Sequence, residues 1–167
     1  MNKLFPIGKV TKVSGLKGEV HVIPLCRYFE DYAENPTLFL GYSNDSALEM
    51  KLKKSARIGK KTRILFEGVQ NRLEAEALVG QKVFTHASES DPISFVSQDL
   101  IGYEVFTDSG KFVGNLKDIL WLPANDVYTI EKDEKEFLIP VISEIVNSID
   151  HNNEEIVIRP IDGLMDH

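Results

Sequence analysis

The stretch Gly8-Lys9-Val10-Thr11-Lys12-Val13-Ser14-Gly15-Leu16-Lys17-Gly18-Glu19-Val20 decides the fold. Two β-rich runs meet across a turn flanked by glycines. Beyond the turn, Val20 and Val22 alternate with Glu19, His21 and Ile23, the period of a half-buried strand that points both valines inward and His21 outward. Glycine tolerates positive φ, so Gly15 and Gly18 let the chain reverse tightly, with Lys17 held out and Leu16 packed inward. The turn serves either as a plain connection between barrel strands or as a contact loop.

Working outward, short β-type runs at 4–13, 18–23, 38–42, 47–57 and 62–66 are separated by turn residues, which reads as a small barrel. Helical signals are scarce until Asn71-Arg72-Leu73-Glu74, a cap residue with Glu three positions on. Ala75 to Val79 follow and Gly80 terminates, predicting one short helix before a last strand at 82–85. From 88 to 98 the chain is rich in Ser, Asp and Glu, contains Pro92 and breaks the β pattern, as an interdomain linker does. Strand-like runs resume at 103–107 and 111–116 around Asp108-Ser109-Gly110, then at 127–131, 137–139, 146–149 and 156–158. The expectation is a mainly β protein of two small barrels, 1–87 and 99–167, joined by the linker 88–98.

Charge divides at the same place. Residues 1–87 carry 14 Lys and Arg against 9 Asp and Glu, net +5, while residues 88–167 carry 5 against 17, net −12. A cationic surface gains from counterion release on RNA, and an acidic one attracts a basic protein. The plain alternative is two solvated surfaces of different composition. The densest basic stretch, Lys51, Lys53 and Lys54, then Arg57, Lys60, Lys61 and Arg63, forms either one patch or two opposed faces. The start of the chain lacks an apolar run long enough for a signal peptide, and no segment approaches a membrane span, so a cytoplasmic location is expected.

Catalytic constellations are not apparent. His21, His86, His151 and His167 lie far apart and are expected on the surface, and the single cysteine, Cys26, reads as an inert, half-buried thiol. Gly59-Lys60-Lys61-Thr62 resembles the end of a phosphate-binding loop, but Lys54 and Lys61 stand where the first glycine and the hydroxyl belong. Glu74 and Glu76 project in different directions from a helix, and Asp133-Glu134-Lys135-Glu136 reads as a charged hairpin tip. No enzyme activity, cofactor, metal or small-molecule substrate is expected. An enzyme or small-ligand protein using a groove between two barrels is the alternative, followed by a generic RNA-binding module.

Ser14-Gly15-Leu16-Lys17-Gly18-Glu19 resembles the opening motif of the RimM family of ribosome maturation factors, a histidine or serine followed by Gly-Leu-x-Gly-Glu. The stretch from Val69 to Gly80 is similar to the family's helix near the end of its first domain. Asp99-Leu100-Ile101-Gly102, Gly114, Asn125-Asp126-Val127, Leu138-Ile139-Pro140, Ile149-Asp150 and Gly163-Leu164 follow the order of its C-terminal PRC-barrel domain. The resemblance implies a first barrel like those of translation factors, a second PRC barrel, and a non-enzymatic role in maturing the small (30S) ribosomal subunit. The partners it implies are the basic ribosomal protein S19 of the subunit head and neighbouring rRNA, bound by a monomer that promotes 16S rRNA processing and head assembly.

Family members commonly place adjacent aromatics before the second domain, where this chain has Phe95-Val96-Ser97-Gln98. Phe95 either anchors a partner or packs the linker. Phe112, Leu116 and Leu120 are expected to share one strand face, leaving Trp121 opposite them at the strand's end. The following Leu122, Pro123, Asn125 and Asp126 complete a candidate partner-binding loop. Candidate rRNA contacts are Lys17, Lys51, Lys53, Lys60, Lys61 and Arg63.

Overall fold

A computed structural model describes residues 2–159 and resolves the chain into two compact units, Met1–Ser97 and Gln98–His167. Gly163, Leu164 and His167 lie outside the described residues.

The first unit contains β1 (Asn2–Ser14), β2 (Glu19–Pro24), α1 (Phe29–Tyr32), β3 (Thr37–Gly41), β4 (Leu48–Ile58), β5 (Lys61–Phe66), α2 (Arg72–Glu76) and β6 (Lys82–Ser88). The strands close a barrel in the order β1-β2-β5-β4-β3-β6. Closure depends on the length of β1, which pairs with β6 over Asn2–Lys9 and with β2 over Gly8–Ser14. Phe5, Ile7, Val10, Val20, Val22, Leu38, Ile64, Phe66 and Phe84 fill the interior. Gly8 marks a close approach, because a methyl there would lie 2.7 Å from Val22 Cγ1 and 2.8 Å from Phe29 Cε1.

The one-turn helix α1 escapes sequence reading because four residues are too few for a periodic pattern, and burial of Phe29 secures it. In α2, Asn71 Oδ1 accepts from Glu74 N at 2.9 Å, while Glu74 Oε1 accepts from Asn71 Nδ2 at 3.0 Å and Gln70 N at 3.2 Å. Gly80, at φ +92°, donates its N–H to Val10 O at 2.9 Å and so ties the end of this turn to β1.

After β6 the chain turns through a 3-10 helix, Pro92–Phe95. Ser94 Oγ donates to Glu89 O at 2.7 Å and Asp91 O at 2.8 Å, and Asp91 Oδ2 accepts from Ser88 N at 3.0 Å. Ile93, Ser94, Val96 and Ser97 are buried, and the division between units falls after Ser97.

The second unit contains β7 (Glu104–Thr107), β8 (Phe112–Trp121), β9 (Asp126–Lys132), β10 (Lys135–Pro140), β11 (Val146–Asp150) and β12 (Glu155–Ile158). They form one six-stranded sheet ordered β10-β9-β8-β7-β12-β11, antiparallel except for the parallel pair β12 and β7. Leu100, Val105, Leu116, Tyr128, Ile130, Ile139, Ile156 and Ile158 make its core. The charged tip between β9 and β10 turns on Asp133 and Glu134, both with φ above zero, as a two-residue hairpin of the tighter kind requires.

Two register shifts correct the expected face of β8. One lies where Val105 and Phe106 pair with Gly114 and Phe112, the other between Leu116 and Asp118. Each bulge adds a residue and flips the alternation. Phe112, Leu116 and Leu120 therefore do not share a face: Leu116 points inward with Ile119, and Leu120 falls on the opposite side. Among the described residues no helix is long and apolar enough to cross a membrane.

Candidate functional site

In the second unit, pairing of Trp121 with Asp126 closes the β8–β9 hairpin around Leu122-Pro123-Ala124-Asn125. Trp121 has the inward parity of Ile119, but it stands past the end of the core and is 51% exposed, with Leu122 beside it at 44%. The base of the loop is fixed. Asp126 is buried, and its carbonyl accepts from Val141 N at 2.8 Å, joining β9 to the end of β10. Burial, with the nearby Asp126 charge adding to it, pushes the Tyr128 phenol far above its ordinary pKa. The loop thus sets two exposed apolar side chains above a buried, hydrogen-bonded base. Phe95 is half-buried on the 3-10 helix of the first unit.

The opening loop of the barrel departs from expectation. Leu16 is 75% exposed instead of packed inward, while the buried residue is Gly18. Gly18 sits at φ +102° against Val69, whose backbone and side chain already take the space a side chain at Gly18 would need. The loop is held from below by Arg72, whose Nη1 donates to Gly15 O at 3.1 Å. Lys17 is exposed and joins Lys53 at an open cleft of about 430 Å³ lined by Leu65, Phe66, Gly68, Val69 and Gln70.

The remaining basic candidates separate. Lys51 lies at 3.9 Å from Glu49, and Lys60 sits on the β4–β5 turn. Arg57 has the parity of Thr62 and pairs with Glu30 of α1 at the mouth of the barrel. Lys61 and Arg63 project from the outer face of β5, since Thr62 and Ile64, which alternate with them, are buried. Cross-strand register sets Arg63 beside His21, and His21 beside Lys12. Arg63 Nε lies 3.5 Å from Glu19 Oε2.

His21 is half-buried here rather than a free surface residue, and its Nδ1 has no hydrogen-bond partner among the described residues. Burial, then Lys12, Lys61 and Arg63, hold its pKa below 6.5, with Glu19 opposing. Sequence reasoning marked Lys61 and Arg63 but missed Lys12 and His21. Of the other histidines, His151 is half-buried near Tyr103 and His86 is exposed with its ring 4.7 Å from Phe39. Cys26 is fully buried, more so than expected.

Comparison with known proteins assigns both halves. A model of the RimM N-terminal domain matches residues 5–90, and a model of the RimM PRC barrel domain matches residues 97–164. This chain belongs to the RimM family of ribosome maturation factors. RimM relatives align along almost its whole length. The ribosome maturation factor RimM of Clostridioides difficile is 34% identical over 97% of this chain and 96% of its own. That of Thermoanaerobacter sp. strain X514 is 33% identical over 98% of this chain and 100% of its own, and that of Staphylococcus aureus 32% over 96% and 98%. Within this RimM chain, the family motif Ser14 to Glu19 forms the Arg72-braced loop, and Asn125-Asp126-Val127 forms the anchored base of the Trp121 loop.

Proposed function

We propose that this RimM family member binds ribosomal protein S19 and small-subunit rRNA in the head of the immature 30S subunit, promoting 16S rRNA processing and head assembly without covalent catalysis. It acts in the cytoplasm as a monomer and needs no cofactor. Trp121, Leu122, Pro123 and Asn125 are the protein-contact residues, with the buried Asp126 holding the base of their loop and Phe95 as an additional apolar contact. The basic residues of the first unit, Lys17, Lys51, Lys53, Lys60, Lys61 and Arg63, supply the rRNA contacts.

One observation carries this reading: two large apolar side chains, Trp121 and Leu122, stand exposed on a hairpin whose base is buried and hydrogen-bonded. Aromatic anchors of this kind dominate interface energetics. The excess of acidic residues in 88–167 suits a basic protein partner, and the excess of cations in 1–87 suits RNA. Two contacts on one chain raise the effective concentration of the second once the first has formed.

Calorimetric titration of the full chain with purified S19 tests the reading. Saturable binding is expected, and Trp121→Ala is expected to weaken it by at least about 2 kcal/mol, roughly thirty-fold, without lowering the melting temperature. Unchanged affinity in the folded variant removes Trp121 from the site. No binding by the intact chain to S19 alone refutes a direct S19 contact.

A further inference from the structure

The outer face of the first barrel collects cations that are scattered in sequence. Register aligns Lys12, His21 and Arg63 across β1, β2 and β5, with Lys9 beside Ile23 and with Lys61 two residues from Arg63 on the same face of β5. The bulge at Thr11 puts Lys9 and Lys12, three residues apart, on the same side, as pairing with Ile23 and His21 requires. A second bulge at Lys53 turns Lys54 outward, since it pairs with Leu65 while Leu52 pairs with the buried Phe66. The face thus carries Lys9, Lys12, Lys54, Lys61 and Arg63, with His21 at its centre and Glu19 as its carboxylate.

We infer that this face, formed by β1, β2, β5 and β4, is a binding surface for the phosphodiester backbone of RNA, with His21 at its centre as a proton-linked contact. The inference rests on the rRNA reading above and narrows it to a defined surface. Three features carry it. Neighbouring strands are about 4.8 Å apart, so Lys12, His21 and Arg63 span about 10 Å in one line across the barrel. Five cations gather around His21, and the carboxylate set among them, Glu19, lies 3.5 Å from Arg63 Nε, so the face keeps a net positive field that favours an anionic partner. Finally, the half-buried imidazole lies between Lys12 of β1 and Arg63 of β5, with Lys61 near and Glu19 on its own strand, and its buried Nδ1 has no hydrogen-bond partner among the described residues, so its charge answers to whatever neutralises those cations. Its backbone carbonyl is taken by Thr11 Oγ1 at 3.4 Å.

Burial and then the neighbouring cations lower the His21 pKa; phosphate binding offsets the cations, so the bound state takes up a proton and affinity rises as pH falls. No base-reading platform is needed, and recognition is of charge and spacing.

The test uses the full chain and a fluorescently labelled transcript of the 16S rRNA head domain, titrated at several salt concentrations and at pH 7.5 and 5.5. Each phosphate contact adds about 0.7 to 0.9 to the slope of log affinity against log salt. Lys12→Ala combined with Lys61→Ala is expected to lower that slope by about 1.4 to 1.8. The affinity lost between 50 and 200 mM salt then shrinks about 7- to 12-fold. Lys111→Ala with Lys135→Ala removes the same charge from the second unit and is expected to leave the slope unchanged. His21→Gln is expected to flatten the pH dependence of binding. If the wild-type chain binds the transcript and the Lys12/Lys61 variant binds with an undiminished slope, this face is wrong and the rRNA reading stands on other residues. If the wild-type chain binds no rRNA while still binding S19, both the face and the rRNA reading fall. A wild-type affinity independent of pH overturns the role of His21.

Discussion

Replacing Gly18 with alanine tests the geometry on which the whole first barrel turns. The new methyl carbon would stand 2.6 Å from Val69 O and 3.0 Å from Val69 C, where ordinary contact begins near 3.4 Å. Both neighbours are backbone, so relief requires moving the β1–β2 loop or the segment leading into α2, and Arg72 holds these two together through Gly15 O. Overpacking of this kind costs about 1–3 kcal/mol. Holding alanine at φ +102° adds about 1–3 kcal/mol. Gly15→Ala is the matched control, for Gly15 has φ +72° but nothing within 4 Å of an added methyl, leaving only the backbone term of about 1–2 kcal/mol. The steric part alone separates the two variants by about 1–3 kcal/mol, and a unit of this size shifts by about 4–8 °C per kcal/mol. Far-UV melting together with hydrogen exchange of the β2 amides reads the first unit. Gly18→Ala is expected to melt at least about 4 °C below Gly15→Ala. Equal melting of the two variants would refute the argument that Gly18 is required for close approach to Val69.

Other expectations follow from the same contacts. Asn71→Ala removes the acceptor for Glu74 N and should cost about 1 kcal/mol in a denaturant titration, while Asn71→Asp keeps that acceptor and should cost much less. His21 is held below its unfolded pKa of 6.5, so as pH falls through that value the unfolded chain takes up a proton first and the first unit loses stability; His21→Gln should remove this part of the acid dependence in melting curves at pH 7.5, 6.5 and 5.5. Tyr128 is shifted the other way. Above pH 10 the unfolded chain loses the phenol proton first, so the second unit weakens as pH rises, and Tyr128→Phe should abolish that loss when read by fluorescence of the single tryptophan, Trp121.

The strands were legible because barrel walls are half-buried and alternate. Val20 and Val22 point inward and His21 outward as the period requires, and Asn71 caps its helix with the Glu74 reciprocity that the spacing suggested. Glycine placement was legible too, since a residue that must turn at positive φ leaves few alternatives. The direction of Leu16 was not. An apolar residue in a turn packs inward only if space remains beneath it, and here Val69, brought in from more than fifty positions along the chain, already packs against the turn at Gly18. The parallel pairing of β12 with β7 likewise depends on a long return of the chain, which local pattern does not record.

Bulges set the deeper limit. A bulge is a mismatch in count between two strands, so it belongs to the pair and leaves no mark in either sequence alone. In β8, alternation counted from Phe112 fails at the first bulge and again at the second, and the faces of Leu116 and Leu120 come apart. Yet Trp121 still ends opposite Leu120, because no further shift lies between adjacent residues. The same devices act on charge. Without the bulges at Thr11 and Lys53, Lys12 would point into the barrel and Lys54 with it; with them, both join Arg63 outside. The surplus of cations in residues 1–87 was therefore readable as a number but not as a surface.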